Sequence, residues 1–212
     1  MQRIYGGFIL KKHFLDLYSG LGGASEAFVI DSDWTVLRID NNPLFNQVPG
    51  TVIDDVKRVA DNVHPYPFHK VDCIWASPPC REFSNGYNSP KSQAARSQEG
   101  LEAYEPDMSL LEAAMHIIET VQPKYWVIEN VVGSIRYFAE YLGEPRQIIG
   151  PYVLWGNFPF LEIQPGQIAT KASKDVHSSN PLRANIKAKV DFAISNALKQ
   201  AITCQTSILE FN

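Results

Sequence analysis

Val71-Asp72-Cys73-Ile74-Trp75-Ala76-Ser77-Pro78-Pro79-Cys80 is the stretch from which the rest of the chain is read. Its first six residues are mostly apolar and do not alternate, the pattern of a strand buried on both faces. The two prolines end it. Each fixes φ and lacks an N–H, so the chain leaves the sheet in a rigid, extended turn. That turn presents Cys80. At the carboxyl end of a central α/β strand, a thiol lies where such sheets bind ligands. Taken alone, Cys80 also reads as a packed structural thiol, and the flanking sequence bears on the choice.

Upstream, His13-Phe14-Leu15-Asp16-Leu17-Tyr18 reads as the first core strand. It runs into Ser19-Gly20-Leu21-Gly22-Gly23, with a helix expected from about Ala24 to Ile30. Strand, glycine turn and helix together bind nucleotides, because glycines admit the ligand to the backbone and the helix offers free N–H groups. The spacing is not a full G-x-G-x-x-G. Asp16 either caps the turn or reaches a cationic group on a ligand. Trp34 to Ile39 is a second strand ending in Asp40, about 20 residues past the glycine turn, where an acidic side chain meets ribose hydroxyls. Asn41-Asn42-Pro43 breaks the chain. Thr51-Val52-Ile53 leads to Asp54-Asp55. Either carboxylate contacts an adenine amino group or caps the helical turn from Val56 to Asn62.

Downstream, Arg81 to Pro106 is long, polar and aperiodic, which predicts a structureless loop. Starting beside a candidate nucleophile, it reads as a lid. Lys91 and Arg96 meet phosphates on closure or simply solvate the loop. Asp107 to Thr120 is an amphipathic helix with Leu110, Leu111, Ala114, Ile117 and Ile118 on its apolar face, and Met108 and Met115 as packing. Tyr125 to Ile128 is another buried strand. It ends in Glu129-Asn130-Val131, either a carboxylate on the same sheet edge as Cys80 or a strand-to-helix cap. A short helix from Val132 to Leu142, a strand and turn over Gly150 to Pro159, an irregular stretch over 162–182 and an amphipathic helix from Asp191 to Thr203 complete the chain. Residues 1–12 read as a frayed start or an edge strand.

The 212 residues are 45% hydrophobic with net charge −4. The length is expected to give one domain over 1–160, carrying the candidate catalytic residues, with a small tail over 161–212 whose helix packs back on it. The acidic balance excludes a global basic field of the kind that drives non-specific DNA binding. Three cysteines, Cys73, Cys80 and Cys204, and five scattered histidines show no metal-ligand spacing. These features read as a reducing, cytoplasmic protein without bound metal. No run of residues is long and apolar enough for a membrane span.

As an ordered set, these motifs resemble the DNA (cytosine-5) methyltransferases, particularly the compact form common in bacteriophages. Asp16-Leu17-Tyr18-Ser19-Gly20-Leu21-Gly22-Gly23 looks like the family's first cofactor motif, and Pro78-Pro79-Cys80 with Phe83-Ser84 like its nucleophile motif. Glu129-Asn130-Val131 looks like its Glu-Asn-Val motif. Trp155-Gly156-Asn157-Phe158-Pro159 and the Arg183-to-Ala197 segment resemble the tail of the phage-type proteins.

The resemblance implies a three-layer α/β/α, Rossmann-like class I S-adenosylmethionine-dependent methyltransferase fold. It implies S-adenosylmethionine as cofactor and S-adenosylhomocysteine as product. Asp16, Tyr18, Gly20, Gly22, Gly23, Asp40, Asn41, Asp54 or Asp55, and Pro78 would hold the cofactor. Cys80 would add to carbon 6 of cytosine, Glu129 would bind the exocyclic amine and ring nitrogen 3, Asn130 would orient Pro78 and Glu129, and Pro79 completes the catalytic motif. Arg81, Ser84, Lys91 and Arg96 would meet DNA carrying a flipped cytosine, as in restriction-modification enzymes.

Three departures stand out. Arg81 replaces the usual Gln after Pro-Pro-Cys. A Gln-x-Arg-x-Arg motif is not evident, leaving Arg146-Gln147 or Arg136 in its region. Val190-Asp191 stands where Ile-Pro is expected. About 50 residues follow Pro159, so target reading is expected to be minimal, to be done by the 81–106 loop and the tail, or to be supplied by a partner protein. Two alternatives are the same chemistry on a free cytosine nucleotide and a non-catalytic subunit that completes a partner.

Overall fold

The four residues Cys73-Ile74-Trp75-Ala76 are fully buried, and their strand is the middle one of a seven-stranded sheet. The computed structural model describes residues 4–5, 8–9, 11–63, 70–98, 100–169, 177 and 179–209. Strands β1 (Ile4–Tyr5) and β2 (Phe8–Ile9) form a separate small hairpin where the sequence predicts a frayed start or an edge strand. The main sheet contains β3 (Lys12–Leu17), β4 (Trp34–Asp40), β5 (Thr51–Ile53), β6 (Cys73–Ala76), β7 (Tyr125–Val131), β8 (Gln147–Ile149) and β9 (Tyr152–Asn157). The helices are α1 (Glu26–Val29), α2 (Val56–Asp61), α3 (Pro90–Ala94), α4 (Ser109–Val121), α5 (Ile135–Leu142), α6 (Arg183–Ala188) and α7 (Phe192–Leu209).

The strand order is β5-β4-β3-β6-β7-β9-β8. The first five strands run parallel, and β9 is antiparallel to both β7 and β8. The order changes direction between β3 and β6, which pair with Leu17 opposite Ala76. Open α/β sheets bind ligands at such a switch point, beyond the strand carboxyl ends. Here two loops leave that edge side by side: the glycine turn after Leu17 and the Pro-Pro-Cys turn after Ala76. The amide of Ser77 donates to the Leu17 carbonyl at 3.2 Å. No bond of that kind can follow at Pro78, because proline has no N–H.

Alternation along the strands divides the core into two layers. On one face Leu15, Leu17, Ile74, Ala76, Ile128 and Val153 pack with Val56 and Val59 of α2, Leu111 and Ile117 of α4, and Phe138 of α5. Met108 and Met115 pack against the same cluster, as their helical spacing predicts. On the other face Phe14, Cys73, Trp75 and Val127 pack with Phe28 of α1 and with Ile194, Leu198 and Ile202 of α7.

Several elements differ from the sequence expectation. Helix α1 keeps only four residues, because Gly20 to Ser25 is a series of turns. The 81–106 segment is not structureless: it holds 3-10 turns at Cys80–Glu82 and Leu101–Ala103, and helix α3. Strand β8 and helix α6 fall where no element was expected.

Candidate active site

Beneath the glycine turn lies a buried polar network. Ser25 Oγ donates to Asp16 Oδ2 at 2.5 Å, and Arg38 Nε donates to Ser25 Oγ at 2.9 Å. The other guanidinium nitrogens donate to the carbonyls of Pro49 at 2.6 Å and Gly22 at 3.3 Å. Asp16 is 1% exposed and Arg38 4%, so both face the protein interior. Burial pushes the Asp16 carboxyl up to about 7, although the Ser25 bond and the Arg38 charge act against the rise. Burial likewise pulls the Arg38 guanidinium down, opposed by the charges of Asp16 and Glu26. Asp16 thus sits beneath the turn, bonded to Ser25.

The same network explains why glycine occupies position 22. Its φ is +70°, and a Cβ there would sit 2.5 Å from Arg38 Nε. Gly20, at φ +51°, has open space where its Cβ would be, so backbone is exposed on the outer side of the turn. Asp40 fastens that side, accepting from the amides of Gly20 at 2.8 Å and Asn42 at 2.9 Å. Asn41 beside it is exposed.

Asp54 accepts from the Asp55 amide at 2.7 Å and pairs with Arg58 at 2.5 Å. Asp55 caps α2 through the Lys57 amide at 2.8 Å. Tyr18, at φ +57°, donates its hydroxyl to the Leu110 carbonyl at 2.7 Å and joins the turn to the start of α4. Two hydroxyls in this neighbourhood, Ser19 Oγ and Ser109 Oγ, are buried without a hydrogen-bond partner. Neither was singled out from sequence, where serine in a glycine turn or at a helix start has an ordinary local role.

The second loop is tied to the end of β7. Asn130, 1% exposed, donates Nδ2 to the Pro78 carbonyl at 2.9 Å and accepts the Val131 amide on Oδ1 at 2.9 Å. That fixes the turn carrying Cys80 against the strand carrying Glu129. Cys80 is half-buried at the start of its 3-10 turn. The register pairs Trp75 with Val127 and Ala76 with Ile128, so Ser77 stands beside Glu129. Burial pushes the Glu129 carboxyl up to about 7, and a hydrogen bond from Ser77 partly opposes this. A cavity of ≈ 210 Å³ next to Cys80 is lined by Pro78, Pro79, Arg81, Phe83, Asp107 and Leu110, among others.

The segment after Cys80 is fastened down. Lys91 Nζ donates to Asn85 Oδ1 at 2.9 Å and to the carbonyls of Gly133 and Phe83 at 3.3 and 3.4 Å. Tyr104 donates its hydroxyl to Glu82 Oε2 at 2.6 Å. Phe83 packs against Tyr137 and Phe138 of α5. Ser84 Oγ accepts the Gly86 amide at 3.1 Å. Arg96 donates to the Tyr87 carbonyl and lies 4.2 Å from the centre of its ring. Arg81 is exposed. Lys91 therefore acts as an internal tie in this structure, whereas Arg81 and the Arg96–Tyr87 pair face solvent.

Of the arginines near the missing Gln-x-Arg-x-Arg motif, Arg146 donates to the Phe158 carbonyl at 2.5 Å and Gln147 brackets Leu161. Arg136 is exposed over the Tyr137 ring. Among the described residues there is no group of three or more His, Cys, Asp or Glu able to hold a metal. Nor is any helix there long and apolar enough to cross a membrane.

Residues 13–136, which span both loops and the Glu129 strand, match the model of the C-5 cytosine-specific DNA methylases. The chain belongs to that family. It is 30% identical over 148 residues to a Frog virus 3 (isolate Goorha) protein named "Probable DNA (cytosine-5)-methyltransferase", matching 67% of this chain and 64% of that protein's length. Among solved structures it is similar to the Entamoeba histolytica methyltransferase EhMeth, at 15% identity and TM-score 0.47, over 80% of this chain and 61% of that one. A SAM dependent methyltransferase from Aquifex aeolicus is similar at 14% identity and TM-score 0.38, over 69% of this chain and 84% of that one. The sheet order described above is the Rossmann-like arrangement of class I methyltransferases.

Proposed function

We propose that this family member transfers a methyl group from S-adenosylmethionine to carbon 5 of cytosine in DNA through a transient bond from Cys80. The observation that carries this reading is the Asn130–Pro78 bond. It holds the Cys80 turn and the Glu129 carboxyl at one sheet edge, beside the glycine turn. The residues present suit the cofactor. Gly20 leaves its backbone open, Asp40 closes the end of β4 where a ribose would lie, and Ser19 offers a buried hydroxyl with no partner among the described residues. When bound, S-adenosylmethionine supplies an electrophilic methyl group.

The chain's own residues do the rest. As a thiolate, Cys80 forms a bond to carbon 6 of the ring, and the displaced electron pair makes carbon 5 nucleophilic. The carboxyl of Glu129, raised to about 7, keeps its proton in about half of the molecules at pH 7. It can then donate to ring nitrogen 3 while accepting from the exocyclic amine. After methylation a water molecule takes the proton from carbon 5, the released C–H pair restores the carbon 5–carbon 6 double bond, and the carbon–sulfur pair leaves with Cys80 as thiolate. Arg81 and Arg96, both exposed in the segment after Cys80, would meet the DNA backbone.

DNA carrying 5-fluorocytosine tests this reading. Fluorine does not leave as a proton does, so a working protein incubated with cofactor stalls as a denaturation-resistant adduct. The expected product is an adduct mapping to Cys80 and carrying one added methyl group. Cofactor binding without any adduct overturns the reading on DNA. A parallel arm with a fluorinated deoxycytidine nucleotide distinguishes the free-nucleotide alternative.

A further inference from the structure

The Ser77 hydroxyl has no place in the functional reading above, yet it stands between the fully buried Trp75 and Glu129. Trp75 Nε1 is a donor only, and it donates to Ser77 Oγ at 2.7 Å. The indole is held in the core with Phe14, Cys73 and Val127, so this donor is fixed in direction. A hydroxyl has one proton to give. With the indole bonded to its oxygen and Glu129 beside it in register on the same sheet face, Ser77 has its proton available for that carboxyl. The other groups beside Glu129 come from β9: Leu154 opposite it in register, and Tyr152 two residues away. Burial, with the charges of Glu129 and Asp191, raises the Tyr152 phenol to about 12, so it stays neutral around pH 7.

A neutral carboxyl is asymmetric: one oxygen carries the proton and donates, while the other only accepts. We propose that Ser77, clamped by Trp75, is a positioning residue that decides which oxygen of Glu129 carries the proton. Its O–H occupies one oxygen as an accepted bond. The acid proton is thereby kept on the other oxygen, the one that meets ring nitrogen 3. The amine of the base then donates to the oxygen that Ser77 already marks as the acceptor. This assignment rests on the cytosine-methylating reading for its substrate, but the hydrogen-bond chain itself lies within the protein.

The test combines two measurements on the full chain with Ser77→Ala and Ser77→Thr. In the first, the Glu129 carboxyl is followed by carbon-13 NMR through a pH titration. Loss of the Ser77 donor removes a bond that favours the charged form, so Ser77→Ala is expected to move the Glu129 midpoint upward and Ser77→Thr to restore it. In the second, single-turnover methyl transfer to DNA is expected to fall about 10- to 100-fold in Ser77→Ala. The KM for DNA should change less than about threefold, and Ser77→Thr should recover most of the rate. An unmoved Glu129 midpoint in Ser77→Ala overturns the proposal, and so does a rate loss that Ser77→Thr fails to rescue. If the unmodified protein methylates nothing, the functional reading fails, while the titration still decides the Ser77–Glu129 contact.

Discussion

Two carboxyl groups, the sealed Asp16 and the half-buried Glu129, are both pushed up to about 7 by burial, yet their surroundings differ. Asp16 has Ser25 and Arg38 around it and lies sealed under the glycine turn. Glu129 receives a bond from the neutral Ser77 and stands at the sheet edge beside the Cys80 turn. A carboxyl held by a cation-anchored network is committed to structure. A carboxyl held by one neutral donor keeps a proton and an oxygen for a ligand. An elevated pKa therefore does not by itself identify the functional group; the partners do.

The largest expected effect lies on the Glu129 side. Cys80→Ala should lower methyl transfer at least about a thousandfold. Cofactor affinity, measured by calorimetry, should stay within about twofold, because the groups assigned to the cofactor lie mainly on the glycine turn. Equal loss of both would merge the two regions into one. On the Asp16 side, Arg38→Ala should destabilise the fold by about 2–4 kcal/mol, since it strips donors from Ser25, Gly22 and Pro49 together. Urea denaturation checks this, and a change below about 1 kcal/mol would show the network to be dispensable.

Glu129→Gln should do the opposite to stability. The folded carboxyl lies above its unfolded value, so ionising it costs the folded state. That cost is absent at low pH, grows as pH rises through the range between the two values, and is complete above about 7. Glutamine removes it. The variant should be more stable by about 1–2 kcal/mol at pH 8 and no different near pH 4, while methyl transfer collapses. Thermal melts at the two pH values decide it. The smallest effect expected is from Asp40→Ala, which releases the Gly20 and Asn42 amides and should weaken cofactor binding about tenfold. Unchanged affinity would remove Asp40 from the site.

The parallel half of the sheet was legible because its strands are short apolar runs that end in residues with few backbone options. Glycines after Tyr18, prolines after Ser77 and a charged pair after Ile53 mark three strand ends on one edge. The antiparallel part was harder to read. Strand β8 has three residues, of which Gln147 turns its amide to Leu161, and α6 buries none of its residues, so neither leaves a hydrophobic period. The 81–106 segment looked like an open lid because its anchors are polar. Lys91 reaching Gly133 and Tyr104 reaching Glu82 are tertiary bonds that composition does not show.

Arg38 had a visible signal, a charge inside the otherwise apolar Trp34-to-Ile39 strand, but no visible partner. Of the candidate site residues, Cys80, Glu129 and Asn130 were readable from strand ends. The division of labour between Asp16 and Glu129 was not, since both side chains turn to the same face and only their tertiary partners, Ser25 and Arg38 for one and Ser77 for the other, set them apart.

The tail helix reaches back to the glycine turn. Ser195 donates to the Ala24 carbonyl at 2.6 Å and accepts the Ala27 amide at 3.0 Å, and the Val190 carbonyl occupies the space where a Gly23 side chain would stand. Residues that leave the ribosome early thus depend on partners made more than 160 positions later. At roughly 5–20 residues per second of synthesis, the glycine turn spends about 8 to 34 seconds without its backing. A nascent chain can lay down the parallel strands in that interval, but its glycine turn gains this backing only once Ser195 has been made.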